Sequence, residues 1–148
     1  MRLGVFAAIL ALGAAPLSAQ ELVTKSSPAP VGETMDALVA AVEGAGATVF
    51  ARVDHGAGAA SVEMEMGEAQ LLIFGNPRLG TPVMQEDIRA GLVLPLRVLV
   101  YEDADGATQV TYEAVDAMLG DFDVSADLEV LGRMRGALDN LTGAATGG

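Results

Sequence analysis

Two hydrophobic periods alternate along the chain, and together they lay out its elements. Met35, Leu38, Val39 and Val42 stand at i, i+3, i+4 and i+7, which predicts a helix from about Thr34 to Glu43 with one apolar stripe. Glu33 and Asp36 suit its positive amino end, and Gly44 and Gly46 stop it. From Ala47 to Asp54 the period changes to two, with Val49, Ala51 and Val53 opposite Thr48, Phe50 and Arg52, the pattern of a half-buried strand. Asp54 then predicts an N-cap for a short helix from His55 toward Met66, which Gly56 and Gly58 weaken. Leu71-Leu72-Ile73-Phe74 is an unbroken apolar run, predicting a central strand from Gln70 to Phe74 covered on both faces, by helices or by a partner subunit. Gly75-Asn76-Pro77 breaks it, and Thr81-Pro82 predicts a helix start, the helix fading by Gly91.

The remaining segments complete the pattern. Leu96 to Tyr101 and Thr108 to Glu113 read as a hairpin around the Asp105-Gly106 turn, and Glu21 to Ser26 as a first strand ended by Ser27-Pro28-Ala29-Pro30. Ser125 to Leu141 reads as a closing helix, with Leu128, Leu131, Met134, Leu138 and Leu141 on one side. The small residues after it, 143–148 above all, read as a flexible tail. The order of elements predicts an α+β fold: a two-layer sandwich of a mainly antiparallel sheet with helices packed on one face, forming a single domain over 20–142.

Ahead of Gln20 the pattern is of another kind. Met1-Arg2 is followed by an apolar stretch from Leu3 to Ala15 and by Pro16-Leu17-Ser18-Ala19 before Gln20-Glu21. A positive start, a short apolar run and a small-residue cleavage site make residues 1–19 a secretory signal peptide, the run falling short of the roughly 20 residues that cross a bilayer. The expected location is periplasmic or secreted, in a bacterial envelope, with no membrane attachment once the signal is removed. A length of 148 residues bounds the chain to one domain. With 20 acidic against 8 basic residues and a net charge of −12, nucleic acid and anionic membrane surfaces are excluded as partners. The absence of cysteine removes disulfides, thiolate zinc sites, c-type haem attachment and cysteine nucleophiles. No cofactor and no metal are expected.

Each candidate for chemistry has a plainer structural reading beside it. His55 is the only histidine, so imidazole chemistry rests on it, whereas the structural alternative is a hydrogen bond at a strand-to-helix junction. Neither Ser61 nor Ser125 stands in a nucleophile elbow. Gly75 to Thr81 runs from a strand end to a helix start, where free amides can hold an anion or where the glycines and Thr81 simply shape the connection. Met64-Glu65-Met66 suits Cu(I) in principle, but methionine is far more often core filler. Asp121 to Asp127 resembles a calcium loop but lacks its glycine and its closing glutamate, so helix capping explains it better. Arg97 falls within an apolar strand, on the face shared with Leu99 and Tyr101. It serves either a structural ion pair with Glu102, Glu113 or Asp54, or an anionic ligand or partner chain.

Certain strings also carry a resemblance. Val53-Asp54-His55, Leu72-Ile73-Phe74-Gly75-Asn76-Pro77, Gly80-Thr81-Pro82-Val83-Met84-Gln85, Leu94-Pro95-Leu96-Arg97, Tyr101-Glu102-Asp103 and Thr111-Tyr112 resemble the domain of unknown function 302 family, over roughly Glu33 to Met118. The resemblance implies helices on a mainly antiparallel sheet and homodimers, and it implies no reaction. Its motif residues fall here on His55, Asn76, Pro77, Gly80, Thr81, Pro95, Arg97 and Glu102. Asp87-Ile88-Arg89 and Val93 depart from the family pattern, which is more apolar at the first and favours aspartate at the second. The reading that follows is an exported, homodimeric binding or interaction domain. Its pocket for a small anionic or carbonyl-bearing ligand would draw on His55, Asn76, Gly80, Thr81, Arg97 and Glu102. The alternatives are an enzyme with His55 as general base and a structural envelope module.

Overall fold

The computed structural model describes residues 21–148, so the expected signal peptide, residues 1–19, lies outside the described residues. The elements run β1 (Leu22–Ser27), α1 (Val31–Gly44), β2 (Thr48–Asp54), α2 (His55–Ala60), β3 (Ala69–Gly75), α3 (Pro77–Glu86), a 3₁₀ turn (Ile88–Leu92), β4 (Leu96–Glu102), β5 (Thr108–Glu113), α4 (Val115–Met118) and α5 (Glu129–Thr146). The strands form one sheet in the order β1-β5-β4-β3-β2, every neighbouring pair antiparallel. This is the α+β sandwich that the two periods predict.

Strand side chains alternate between faces, and register decides which residues meet. Leu72 pairs with Val98 and Val100 with Val110, so these side chains share one face. All four are fully buried, together with Met35, Leu38 and Val42 of α1 and Met134 and Leu138 of α5. The opposite face carries a row running across all five strands: Val53, Leu71, Leu99, Thr111 and Thr24. Ile73 and Tyr101 lie beside that row. Leu71, Ile73, Leu99 and Tyr101 are only half-buried and are not among the side chains packed on the core. The run Leu71 to Phe74 is therefore split, Leu72 and Phe74 going under the helices and Leu71 and Ile73 to a face that no helix of the core layer covers.

Several boundaries differ from the sequence expectation, each for a local reason. In β2 the pairing shifts between Val49 and Ala51, so Val49 faces Phe74 on the helix side while Ala51 and Val53 face Ile73 and Leu71 on the other. α2 stops at Ala60 rather than near Met66. Glu63 adopts φ 58°, which no helix continues, and Met64 and Met66 are exposed. α5 begins at Glu129 rather than Ser125, because the preceding backbone is held elsewhere. The Asp123 amide donates to Asp87 Oδ2 (3.0 Å) and the Ser125 amide to Glu86 Oε2 (2.6 Å). At its far end α5 continues to Thr146, so the expected flexible tail is largely the last turn of a helix. Thr142 and Ala145 are buried there, and Gly147 closes the helix at φ 79°. Lys25 of β1 ties this helix to the sheet edge through the Asp139 carbonyl (2.7 Å) and carboxylate (2.8 Å).

Candidate functional site

The chain between β3 and α3 shapes one end of the molecule. Asn76 is extended and caps α3, its Oδ1 accepting from the Arg78 amide at 2.9 Å, with Pro77 as the first helical residue. The Leu79 and Gly80 amides donate to the Asn76 carbonyl at 2.9 and 3.0 Å. Thr81-Pro82 accordingly falls inside α3 and does not start it. This arrangement removes the anion-binding reading of Gly75 to Thr81. Pro77 has no N–H, and the next three amides already have acceptors.

Gly75 permits a close approach here. A Cβ at that position would stand 3.3 Å from Pro95 Cβ and 3.4 Å from the Phe50 ring. Beside it opens a groove of about 390 Å³, lined chiefly by Phe50, Leu79, Met84, Leu94, Leu96 and Met134. Leu96 and Met134 form a buried floor, whereas Phe50 is 57% exposed at the rim. Asn76 and Thr81 bring the polar side chains of the lining.

The structure gathers some of the expected site residues and separates the rest. Asn76, Gly80 and Thr81 share the apolar groove. His55 is the exposed first residue of α2, just past Asp54, whose Oδ1 accepts from the Ala57 amide at 2.8 Å as the sequence predicts. Asp54 pairs with Gln70 near the start of β3, whereas Asn76 follows its end, so His55 and Asn76 stand about 20 Å apart at opposite ends of the sheet. Glu102, exposed, closes β4 at the same end as His55, its amide donating to the Glu68 carbonyl. Arg97 pairs with Ile73 on the face away from the helices, about 10 Å from His55 along the strands and about 10 Å across them. It is exposed, and it makes no ion pair among the described residues. It lines a second groove of about 450 Å³ with Glu21, Glu113, Asp116 and Asp121, an acidic setting. Among the described residues no group of three His, Cys, Asp or Glu side chains could hold a metal ion.

The best-defined electrostatic feature is structural, and it lies in the stretch that departs from the family pattern. Asp87 is buried and accepts from Arg89 Nε (2.9 Å), the Arg89 terminal nitrogen (2.6 Å) and the Arg89 amide (3.0 Å), besides the Asp123 amide. The Arg89 guanidinium bonded to it, seconded by the Asp123 amide, holds the Asp87 carboxyl well below the usual carboxylate range. The same bond raises the pKa of Arg89. Asp103 is lowered too, chiefly by the Ala107 amide and then by Gln109, inside the hairpin turn. Sequence reasoning missed the apolar part of the groove lining, Phe50, Leu79, Met84, Leu94, Leu96 and Met134. Its one local signal is Phe50, a large apolar residue at a position otherwise read as polar.

Comparisons with known proteins agree with this fold. The family model described as Domain of unknown function DUF302 matches residues 23–141. The crystal structure of an uncharacterized conserved DUF302 protein from Bacillus stearothermophilus is similar with a TM-score of 0.76, over 84% of this chain and 97% of that one, at 18% identity; this is a likeness of fold. The Fluoride-specific ion channel FluC 1 of Brucella suis biovar 1 is 43% identical over 90 residues, 61% of this chain and 35% of that protein. FluC 2 of Brucella melitensis biotype 1 is likewise 43% identical over 90 residues, 33% of its length. The chain thus spans about a third of the length of the curated relatives it matches.

Proposed function

This chain belongs to the DUF302 family, and from that premise we propose that it is an exported, non-enzymatic interaction domain that works as a homodimer, its copies meeting through the uncovered sheet face. The carrying observation is the strip Leu71, Ile73, Leu99 and Tyr101, which the antiparallel register of the two central strands presents away from the helical layer. Five strands about 4.8 Å apart and about 20 Å long offer a face of about 480 Å². Two copies stacked on it hide about 1,000 Å², near the lower edge of specific interfaces, so the dimer is concentration-dependent. A two-fold pairing is self-complementary, and Arg97 and Glu113 on this side supply opposite charges for it. The export part of the reading rests on residues 1–19.

The other readings draw less support. An enzyme needs His55 and Arg97 around one small substrate, and the sheet register holds them apart. A small anionic ligand finds no cation among the residues lining the apolar groove, and Arg97 stands among acids. The Brucella relatives favour a narrower version of the interaction reading. The matched stretch is about a third of proteins named as fluoride-specific ion channels, which supports a version in which this domain acts beside a membrane protein. No helix among the described residues is long and apolar enough to cross a membrane.

The cysteine-free background supplies the test. With Leu99→Cys, maleimide labelling slows as protein concentration rises, because the thiol becomes shielded between copies. With Ala40→Cys, on the exposed side of α1, it does not change. A Leu99→Cys labelling rate that is the same at all concentrations would overturn the dimer reading.

A further inference from the structure

We propose that the apolar groove at the Gly75 end of the sheet binds a neutral small molecule with an apolar body and one carbonyl group. Its volume of about 390 Å³ compares with about 150 Å³ for an apolar cavity that holds benzene, and so suits about fifteen non-hydrogen atoms. The floor is Leu96 and Met134, the walls Leu79, Met84 and Leu94, and Phe50 stands over the mouth. Met84 and Met134 bring flexible, polarizable thioethers that adapt to the shape of a guest.

The two polar side chains set the chemistry of the guest. Asn76 uses Oδ1 to cap α3, which leaves its Nδ2 donors without a protein partner among the described residues. Thr81 Oγ1, on an exposed residue, likewise makes no hydrogen bond there; the same is true of Thr48 and Thr108, whereas the hydroxyls at 24, 34, 111, 142 and 146 are all bonded. An amide donor and a hydroxyl on the first two turns of one helix offer hydrogen bonds to a carbonyl oxygen at the polar edge of the groove. No lining residue is charged, and the chain carries −12 overall. A carboxylate would lose hydration and meet a repulsive field, while a cation would find no counter-charge in the lining. A neutral carbonyl meets neither penalty.

The test uses the chain from Gln20 with ¹³C-labelled methionine methyl groups, carried on a Leu99→Glu background so that self-association plays no part. Octanamide is titrated against octanoate, two probes of one length that differ in charge. Octanamide is expected to shift the Met84 and Met134 methyl signals to saturation and to leave the exposed Met64 and Met66 unmoved. Octanoate is expected to bind at least about tenfold more weakly, and Thr81→Val to weaken octanamide about fivefold, the worth of one neutral hydrogen bond. Unmoved Met84 and Met134 signals, octanoate binding as well as the amide, or an affinity indifferent to Thr81→Val would overturn the proposal. The dimer reading would stand in each of those cases.

Discussion

Leu71 and Leu72 are adjacent, identical in chemistry and opposite in fate, so truncating each in turn isolates what the sheet faces contribute. Leu72 is fully buried between the sheet and the helical layer. Leu72→Ala opens a cavity in a packed core and is expected to cost about 3 kcal/mol, within the range of about 2–5 for such truncations. Leu71 is half-buried on the uncovered face, opposite Val53 and Leu99, with no helix above it. Leu71→Ala in a dilute monomer removes only partial burial, about 1 kcal/mol or less. The expected difference is about 2 kcal/mol, which for a urea m-value of about 1–3 kcal/mol/M separates the two midpoints by about 1 M. Urea unfolding followed by circular dichroism at low protein concentration measures it directly. Repeating it at high concentration should raise the wild-type midpoint and leave that of Leu71→Ala nearer its dilute value, since that variant weakens the contact between copies. Equal costs at the two positions in dilute protein would refute the argument, because they would mean that both faces of β3 are packed within one chain.

Three further outcomes follow from particular contacts. The pKa of Asp87 is lowered in the folded chain, so the stability it contributes is complete above the ordinary carboxylate value of about 3.9 and is lost as pH falls through the lower folded value. Asp87→Asn should lower stability at neutral pH and flatten the acid limb of a urea-midpoint profile, and an unchanged acid limb would contradict this role. Asn76→Ala should cost about 1 kcal/mol through loss of the α3 cap while Asn76→Asp stays near wild type, both read by thermal melts; equal effects would mean that the Arg78 bond is not a cap. Ending the chain at Leu141 removes the buried Thr142 and Ala145. It should cost about 1–2 kcal/mol in the same melts, whereas a dispensable tail would leave the melting temperature unchanged.

Much of this fold is legible in one sequence where the signal is local. The β4–β5 hairpin follows from alternating strands around Asp105-Gly106, and Gly106 takes φ 80° there, a value that glycine adopts freely. The stripe of α1 and the closing leucines of α5 are equally plain, and Arg97 lies on the face of Leu99 and Tyr101 as its strand position implies. What escapes is set by contacts between distant segments. Thr81-Pro82 reads as the start of α3, but Asn76-Pro77 starts it instead, because β3 hands the chain over at Gly75 with Asn76 already extended. The register shift in β2 reverses the face of Ala51 and Val53 without any glycine or proline to announce it. The start of α5 depends on Glu86 and Asp87 holding amides far along the chain.

The site divides in the same way. Asn76, Gly80 and Thr81 come from one strand-to-helix passage and are found together. Phe50, Leu94 and Met134 reach the groove from three separate segments, and periodicity alone gives no reason to join them. His55, Arg97 and Glu102 stand out in the sequence by rarity or by charge, and neither property fixes where a strand register carries them.

Sedimentation equilibrium of the chain from Gln20 over a wide concentration range, beside Leu99→Glu, asks whether the uncovered sheet face joins two copies. The wild type should pass from monomer to a species of twice the mass, more readily at high salt, where repulsion between two acidic copies is screened. Leu99→Glu should remain monomeric with an unchanged circular dichroism spectrum. A wild type that stays monomeric at millimolar concentration, or a Leu99→Glu variant that dimerises as well as the wild type, would contradict the account.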